Sequence, residues 1–463
     1  MRHQLTFIDL FAGLGGFHIA LEELGCKCVF ASEIREDLRK LYTINFGMDI
    51  CGDITQIDYK TIPHHDILCA GFPCQPFSQA GYRQGFDDEK GRGNLFYEIC
   101  KIIDAQGDKK PRYLLLENVS NLKGHDHGNT WTTIKAMLDE RGYDVDSEIL
   151  SPHQFGIPQH RKRIYIVAER KDKKGLEGFK FPEPTNEECD IKTFIDEKDT
   201  DITPLKLETH LQLKLWQEFI DNTINNNCPI PTFPIWSMEF GADYPYENCA
   251  PAYNLLSNLK GKHGKLGKLV HGQTVEECLK DLPIYSQTAK THVFPKWKNR
   301  YIEENRLFYE INKTWLDKWL EKVKNFSNSH LKFEWNCGEN AKPTIFDKIV
   351  QFRASGIRVK TATFSPALNL VGTQVPILPW IKLPKVVFDH MDLTRINEFG
   401  LTKEEVRYGR YLSTKEAAKL QGMERLKFKG EDFSLSNTRI YEALGNAVNT
   451  QVVYRVAKKL LKK

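Results

Sequence analysis

Leu5–Leu10 (LTFIDL) is an apolar run of strand length, and it passes directly into Phe11-Ala12-Gly13-Leu14-Gly15-Gly16. A helical pattern, FHIALEEL, begins at Phe17 and stops at Gly25. Further strand-like runs follow at Cys28–Ala31, Asp66–Ala70 (DILCA), Tyr113–Leu116 and Arg163–Ala168, with helix-like stretches between them. Strands alternating with helices predict a parallel α/β sheet covered on both faces over residues 1–170. In such a sheet the first strand–loop–helix turn is a place for a ligand. Gly13, Gly15 and Gly16 permit a tight turn and close backbone approach. The helix that follows offers unpaired N–H groups to a carboxylate or phosphate. Because Gly15 and Gly16 are adjacent, the turn departs from the G-x-G-x-x-G pattern of dinucleotide-binding enzymes.

From Lys171 this rhythm stops. The polar, Pro-containing stretch KDKKGLEGFKFPEPTNEE reads as a linker or domain edge. Residues 171–409 carry amphipathic patterns near Leu207–Ile220 and Ile302–Val323, and a Pro- and aromatic-rich segment at Cys228–Glu247. No internal repeat stands out. A helix is expected again at Ser413–Gln421, with Ser413 or Thr414 as its cap and Glu416 early in it. Arg439–Leu461 is helical apart from LGNAVN. At 463 residues the chain is long enough for two or three domains. The expected organisation is an α/β domain made of residues 1–170 and 410–463, with a second domain, 171–409, inserted late in it.

Composition excludes several classes. Hydrophobic residues are 41% and charged residues 27%, an ordinary balance for a folded soluble chain. No apolar stretch approaches the ~18 residues of a membrane span. Asp9 interrupts the N-terminal apolar run and no signal-peptide cleavage site follows. Eleven cysteines, with Cys26-Lys27-Cys28 as the only close pair, argue against a disulfide scaffold or a zinc site and for a reducing cytosol. The net charge is only +4, but residues 401–463 hold 14 Lys and Arg against 7 Asp and Glu. That surplus suits a nearby polyanion, although most such runs are solvated faces.

Four groups of residues carry chemistry. Glu33, at the end of the second strand, is placed as an acid that binds ribose hydroxyls, and Asp53 follows in Gly52-Asp53-Ile54. Either acid alone is an ordinary surface residue; in series with the glycine turn they favour a nucleoside-containing cofactor. Cys74 lies in GFPCQPFS, directly after DILCA, in a loop at a strand C-terminus where α/β enzymes place their sites. A lone cysteine is usually a small buried hydrophobe, but a Pro-rich strand-end loop is a less usual place for one. Glu117, in Glu117-Asn118-Val119, ends its strand facing the same crevice. QHRKR, residues 159–163, precedes a further strand; its plain reading is a basic turn.

FIDLFAGLGGF, GFPCQPFS, GNLFYEI, ENV, QHRKRIYIV, RYLSTKEAAKLQGM and IYEALGNAVNTQVV stand in the order found in DNA (cytosine-5) methyltransferases, and the chain resembles a bacterial enzyme of the restriction–modification type. The resemblance covers roughly residues 5–170 and 410–460. It implies an S-adenosylmethionine-dependent methyltransferase (Rossmann-like) α/β fold with an inserted, mixed target recognition domain. It implies Cys74 as the nucleophile that adds to cytosine C6, Glu117 at the N3 edge of the base, Arg163 at O2 and Arg161 in support. S-adenosyl-L-methionine is the implied cofactor. Phe11, Gly13, Gly15 and Gly16 would lie along its methionine part, Glu33 on the ribose and Asp53 on the adenine amine. Pro73 would line the same pocket, and Asn446 would return from the C-terminal segment to meet it. Family members often carry Trp after the acidic residue; here Ile34 follows Glu33.

The implied partner is double-stranded DNA, from which the target base must be flipped. A cognate restriction endonuclease, a monomeric state and a cytoplasmic location are expected with it. Sequence reading is expected from residues 171–409, above all from Lys342–Lys385, where seven Lys and Arg accompany strand-like stretches. Arg353 and Arg358 are the candidate DNA contacts there; solvated surface arginines are the plain alternative. The family's Thr-Leu pair has Ala367-Leu368 as its nearest counterpart. Competing readings are a tRNA cytosine methyltransferase, which shares PCQ and ENV but has a smaller recognition region, and a nicotinamide-dependent dehydrogenase, which lacks the Cys74, Glu117 and Arg163 set. A non-enzymatic DNA-binding paralogue should have lost Cys74 or Glu117, and both are present.

Overall fold

The structure is a computed structural model and describes residues 4–73, 95–185, 187–368 and 372–462. The chain divides into two compact units. Unit 1 comprises residues 1–195, 363–373 and 413–463; unit 2 comprises 196–362 and 374–412. The division therefore falls at 195/196 and not at 170/171. A short return, 363–373, which includes Ala367-Leu368, belongs to unit 1.

Unit 1 is built on a six-stranded sheet: β1 (Thr6–Leu10), β2 (Lys27–Ser32), β3 (Ile67–Gly71), β4 (Tyr113–Val119), β5 (Tyr143–Leu150) and β7 (Arg163–Arg170), with a two-residue strand β6 (Gln159–His160) outside it. Their order is β2-β1-β3-β4-β7-β5. β1 pairs in parallel with β2 and β3, and β3 with β4. β7, however, runs antiparallel to both β4 and β5. The sheet is mixed, which corrects the expectation of a parallel one. The physical reason is the link from β5 to β7, which holds only short turns and no crossover helix, so the chain comes back beside the strand it has just left. β5 itself escapes a search for apolar runs because Asp144, Asp146 and Glu148 alternate outward while Tyr143, Val145 and Ser147 are buried.

The four parallel strands position the site. The chain winds from β1 to β2 on one side and then to β3 on the other, so the strand order reverses between β1 and β3. Ligands of open α/β sheets bind outside the strand C-termini at such a reversal. One face of the sheet packs Ile8, Leu68, Leu114 and Ile166 against the helix Leu95–Ala105 and its neighbours. The other packs Phe7, Cys69, Leu115 and Val167 against helix α1 (Gly16–Glu23) and the last helix, Thr450–Leu460. Ser413 caps the helix Thr414–Leu420 and forms a capping box with Glu416.

Unit 2 has its own six-stranded sheet, with strands β8 (Ile235–Trp236), β9 (Lys332–Asn336), β10 (Ile349–Arg353), β11 (Gly356–Lys360), β13 (Ile377–Lys382) and β14 (Tyr408–Tyr411). Strand β12 (Ser365–Pro366) instead pairs with β6 in unit 1. The helices Leu207–Asn225 and Lys296–Val323 close its core. Leu213, Trp216 and Ile220 recur at helical spacing on the buried face. Trp216 stacks on Phe333 with ring centroids 4.6 Å apart. The indole N–H of Trp216 donates to the carbonyl of His330, and that of Trp319 to the carbonyl of Leu215, so both polar tips are satisfied inside an aromatic core. Among the described residues no helix is long and apolar enough to cross a membrane.

Two buried histidines make unit 1 acid-sensitive. Burial lowers His18 and His65 to about 4, against about 6.5 for an exposed ring. Between those values the unfolded chain takes up protons that the folded chain refuses, so stability falls as pH falls from about 6.5 towards 4. Each ring contributes at most about 1.4 kcal/mol per pH unit in that window. His65 Nδ1 lies 2.8 Å from the Pro63 carbonyl, a contact that the amide of asparagine can reproduce without titrating. Denaturant unfolding of His65→Asn should therefore decline less steeply with acid than that of the parent. Equal slopes would remove His65 from the effect.

Candidate active site

The glycine turn after β1 is a strained piece of backbone. Phe11 has φ +56°, a left-handed conformation that is costly for a bulky residue, and Gly13 and Gly15 have φ +55° and +77°. The two adjacent glycines serve packing as well. A Cβ on Gly15 would lie 2.5 Å from the Phe46 ring, and one on Gly16 would lie 2.4 Å from Val448. Gly16 thus seats the returning C-terminal segment directly on the start of α1.

Glu33 is buried and closes this turn. Its Oε2 accepts the Gly13 N–H at 2.9 Å and its Oε1 accepts the Arg35 N–H at 2.9 Å. The Arg39 guanidinium donates to the carbonyls of Glu33 and Ile34 at 3.0 and 2.7 Å, which holds the loop after β2. Ile34, 69% exposed, is left as an apolar surface beside the carboxylate. Asp53 caps the short turn Ile54–Gln56, its Oδ1 accepting from the Thr55 N–H and hydroxyl. Asn446 is exposed at the end of the helix Asn437–Asn446 and donates to the carbonyl of Glu442. Glu442 in turn forms a 3.0 Å ion pair with Arg35, which brings that helix to the end of β2. Beneath the turn, Asp9 is fully buried; burial, and then repulsion from Glu33, push its carboxyl well above the usual range.

A second cluster forms at the ends of β3, β4 and β7. Gly71 lies opposite Glu117 in the β3–β4 register. Asn118 is buried and donates to the Phe72 carbonyl at 2.9 Å, tying the end of β4 to the residue before Pro73. Pro73 is exposed. Cys74, the expected nucleophile, lies outside the described residues. Arg163 Nε is 3.1 Å from Glu117 Oε1, yet without hydrogen-bond alignment, so among the described residues this buried oxygen keeps an unused acceptor site. Burial raises the proton affinity of Glu117, against the pull of Arg163 and Arg161. Arg161 is 3% exposed and donates to the carbonyls of Gly445 and Ala447 at 2.9 and 2.7 Å. Burial first, and Arg163 second, bring it down to about 10, which still leaves it charged at neutral pH. Its Nε and Nη1 have no partner among the described residues, and neither amide atom of the fully buried Gln159 has one.

The structure thus gathers Glu117, Arg161 and Arg163 into one cluster, where the C-terminal end of β4 meets the start of antiparallel β7, and Phe11, Gly13, Gly15, Gly16 and Glu33 into another, at the C-terminal ends of β1 and β2. Arg353 and Arg358 lie in unit 2, and both are engaged by Glu334, at 2.6 and 2.9 Å. Asn118 and Arg39 hold loops in this geometry, and Gln159 is fully buried beside Arg161 in the chain; sequence reading assigned none of these. For Asn118 and Gln159 a signal was present, since both sit inside motifs already singled out.

The C-5 cytosine-specific DNA methylase family model matches residues 5–462. The chain belongs to that family. The type II methyltransferase M.HhaI of Haemophilus parahaemolyticus is 46% identical over 191 residues, which are 41% of this chain and 55% of that protein. M.DsaV of Dactylococcopsis salina is 50% identical over 184 residues, 40% of this chain and 51% of that protein. The match therefore spans about half the length of these curated relatives. Among solved structures, the Entamoeba histolytica methyltransferase EhMeth aligns over 100% of this chain and 99% of that chain, with a TM-score of 0.53 at 15% identity, a likeness of fold. The mixed sheet of this family member is accordingly a Rossmann-like methyltransferase sheet.

Glu33 should matter to the integrity of the turn. Glu33→Ala leaves the Gly13 and Arg35 N–H groups without their acceptor, a cost of about 1–3 kcal/mol where such groups stay dry. Thermal unfolding should show a lowered midpoint. An unchanged midpoint would mean that water replaces the carboxylate at no cost.

Proposed function

We propose that this chain transfers a methyl group from S-adenosylmethionine to C5 of a cytosine within double-stranded DNA. The observation that carries the reading is the buried Glu117 carboxyl, with raised proton affinity and an unused acceptor, between two arginines at the strand end beside the segment that leads into Cys74.

The residues around the glycine turn fit the cofactor. Each Glu33 oxygen accepts one backbone N–H and retains capacity for a ribose hydroxyl. Ile34 offers an apolar surface to the adenine, and Asp53 keeps Oδ2 for the adenine amine. Phe11 and Gly13–Gly16 line the methionine end, with Pro73 and Asn446 at the edges. S-adenosylmethionine, when bound, supplies an electrophilic methyl group on its sulfonium.

Cytosine C5 is a weak nucleophile, and the chain's own groups activate it. The Cys74 thiolate forms a bond to C6, and the C5=C6 π pair becomes available at C5. Arg161 and Arg163 favour the thiolate if Cys74 comes near them. Glu117, protonated, delivers its proton to N3 as the adduct forms, and takes it back as the ring is restored. After methylation, C5 loses its proton to solvent, the C5–H electrons re-form C5=C6, and the C6–S pair returns to sulfur. Arg163 holds the base at O2. The base must leave the duplex to reach Cys74. Unit 2 supplies the sequence-reading surface, a proposal supported by its own core and by its lack of these catalytic motifs. On this reading the enzyme works as a monomer in a bacterial cytoplasm, protecting host sites from a cognate restriction endonuclease.

Bisulfite sequencing of DNA from cells expressing the chain should reveal methylated cytosines in one sequence context; unmodified DNA would sink the proposal. Cys74→Ser should abolish methylation, and the parent should form a covalent adduct with 5-fluorocytosine duplex, whose C5 fluorine cannot leave as a proton does. Glu117→Gln should slow methyl transfer by about 10²–10⁴-fold. In the parent, the Glu117 limb of the pH profile should fall as pH rises through its raised value, because the donating form is the protonated one. Glu33→Ala should weaken S-adenosylmethionine binding roughly ten- to a hundred-fold in calorimetry; equal affinity would remove Glu33 from the pocket.

A further inference from the structure

Residues 261–269 of unit 2 repeat one triplet three times: Gly261-Lys262-His263, Gly264-Lys265-Leu266, Gly267-Lys268-Leu269. The segment folds back on itself as a tight loop. His263 and Leu269 form an antiparallel bridge. The Val270 N–H donates to the Lys262 carbonyl at 2.8 Å, and the Gly264 N–H to the Lys268 carbonyl at 2.8 Å. Three acids lie close by. The Asp243 carboxylate accepts the His263 N–H and also faces the His263 ring at 3.3 Å, Asp281 Oδ2 accepts the His271 N–H at 2.8 Å, and Glu321, paired with Lys324, lies within electrostatic reach of Lys268. The loop is also fitted to its support. A Cβ on Gly264 would lie 2.4 Å from the Asp281 carbonyl, and Gly267 has φ +69°.

The result is an ordered turn whose charges are left over. Lys262 and Lys268 are exposed. Among the described residues, the amino groups of Lys262, Lys265 and Lys268 make no ion pair, whereas Arg306, Lys322, Arg353 and Arg358 of the same unit all do. Burial, and then the neighbouring Lys268, lower the proton affinity of Lys265.

We propose that this loop is a phosphate-binding contact of unit 2, in which Lys262 and Lys268, with Lys265 between them, hold the backbone of duplex DNA. The proposal rests on the reading of the chain as an enzyme acting on DNA. It assigns to the loop affinity without sequence choice, because phosphate contacts position a protein on the duplex and base contacts specify.

The test uses the full chain and a fluorescently labelled duplex of arbitrary sequence, with binding measured from about 50 to 200 mM salt. Removing one lysine that neutralises a phosphate should reduce the slope of log affinity against log salt by about 0.9. Lys262→Gln/Lys268→Gln should therefore lower the slope by about 1.8 and weaken binding to all sequences alike. Lys262→Arg/Lys268→Arg should keep the parent slope. Lys313→Gln/Lys318→Gln, on the helix Lys296–Val323, removes the same charge elsewhere in unit 2 and should also keep it. A parent-like slope in the first variant, or an equal loss in the third, overturns the proposal while leaving the enzymatic reading intact if the parent still methylates DNA. A parent that binds no duplex and methylates none removes both. Preference of the parent for anionic vesicles over duplex, lost in the first variant, assigns the loop to a lipid surface and also overturns it.

Discussion

Arg161 holds unit 1 in its working order. A guanidinium buried to 3% exposure is an expensive group to desolvate. Here its charge is balanced by Glu117, and one nitrogen donates to the carbonyls of Gly445 and Ala447, 284 and 286 residues further along the chain. Those carbonyls flank Asn446 and precede Val448, the side chain that fills the space over Gly16. One cation therefore joins the Glu117–Arg163 cluster at β4 and β7 to the glycine turn at β1. Removing it would leave two buried carbonyls without this donor, between the last two helices.

The same device recurs around the site. Glu33, Asn118 and Arg39 each use a side chain to bind backbone groups of another loop. Strand ends have few ladder bonds of their own, so these side chains complete the accounting of polar groups. They also fix the loops at the positions where chemistry is proposed. The strained Phe11 is tolerated because the Gly13 N–H and the Ala12 N–H, which donates to the Ser32 carbonyl at 2.9 Å, are both held from β2 and its loop.

Local features were legible in the sequence, and partnerships over distance were not. The glycine turn, the strand ends at Glu33 and Glu117 and the Ser413–Glu416 cap all follow from short patterns. β5 was hidden because its outward residues are acidic and its inward ones include Ser147, so hydrophobicity alone is weak there. The antiparallel β7 depends on the length of a connection whose turns have no apolar pattern. The Asn118–Phe72 bond spans 46 residues and the Arg161 bonds span more than 280, and no spacing rule reaches so far. The Gly-Lys triplets are plain in the sequence, but nine residues are too few to register as a structural repeat. Only the fold shows that the nearby acids hold backbone groups, His263 and Lys324, with no ion pair to the lysines of the loop among the described residues.

Arg353 and Arg358 show what charge density alone leaves out, which is the acid placed between them. β9 and β11 are neighbours, and β10 pairs with β11, so Glu334 falls beside both arginines. The carboxylate separates two cations that would otherwise repel across adjacent strands, and this is a reason for all three residues to stay together. A base contact through Arg353 Nη2 would compete with its 2.6 Å bond to Glu334, a charge-assisted bond worth about 1.5–3 kcal/mol, whereas its Nε has no partner among the described residues. Lys262 and Lys268 make no ion pair among the described residues, so the phosphate contact proposed for them would break none.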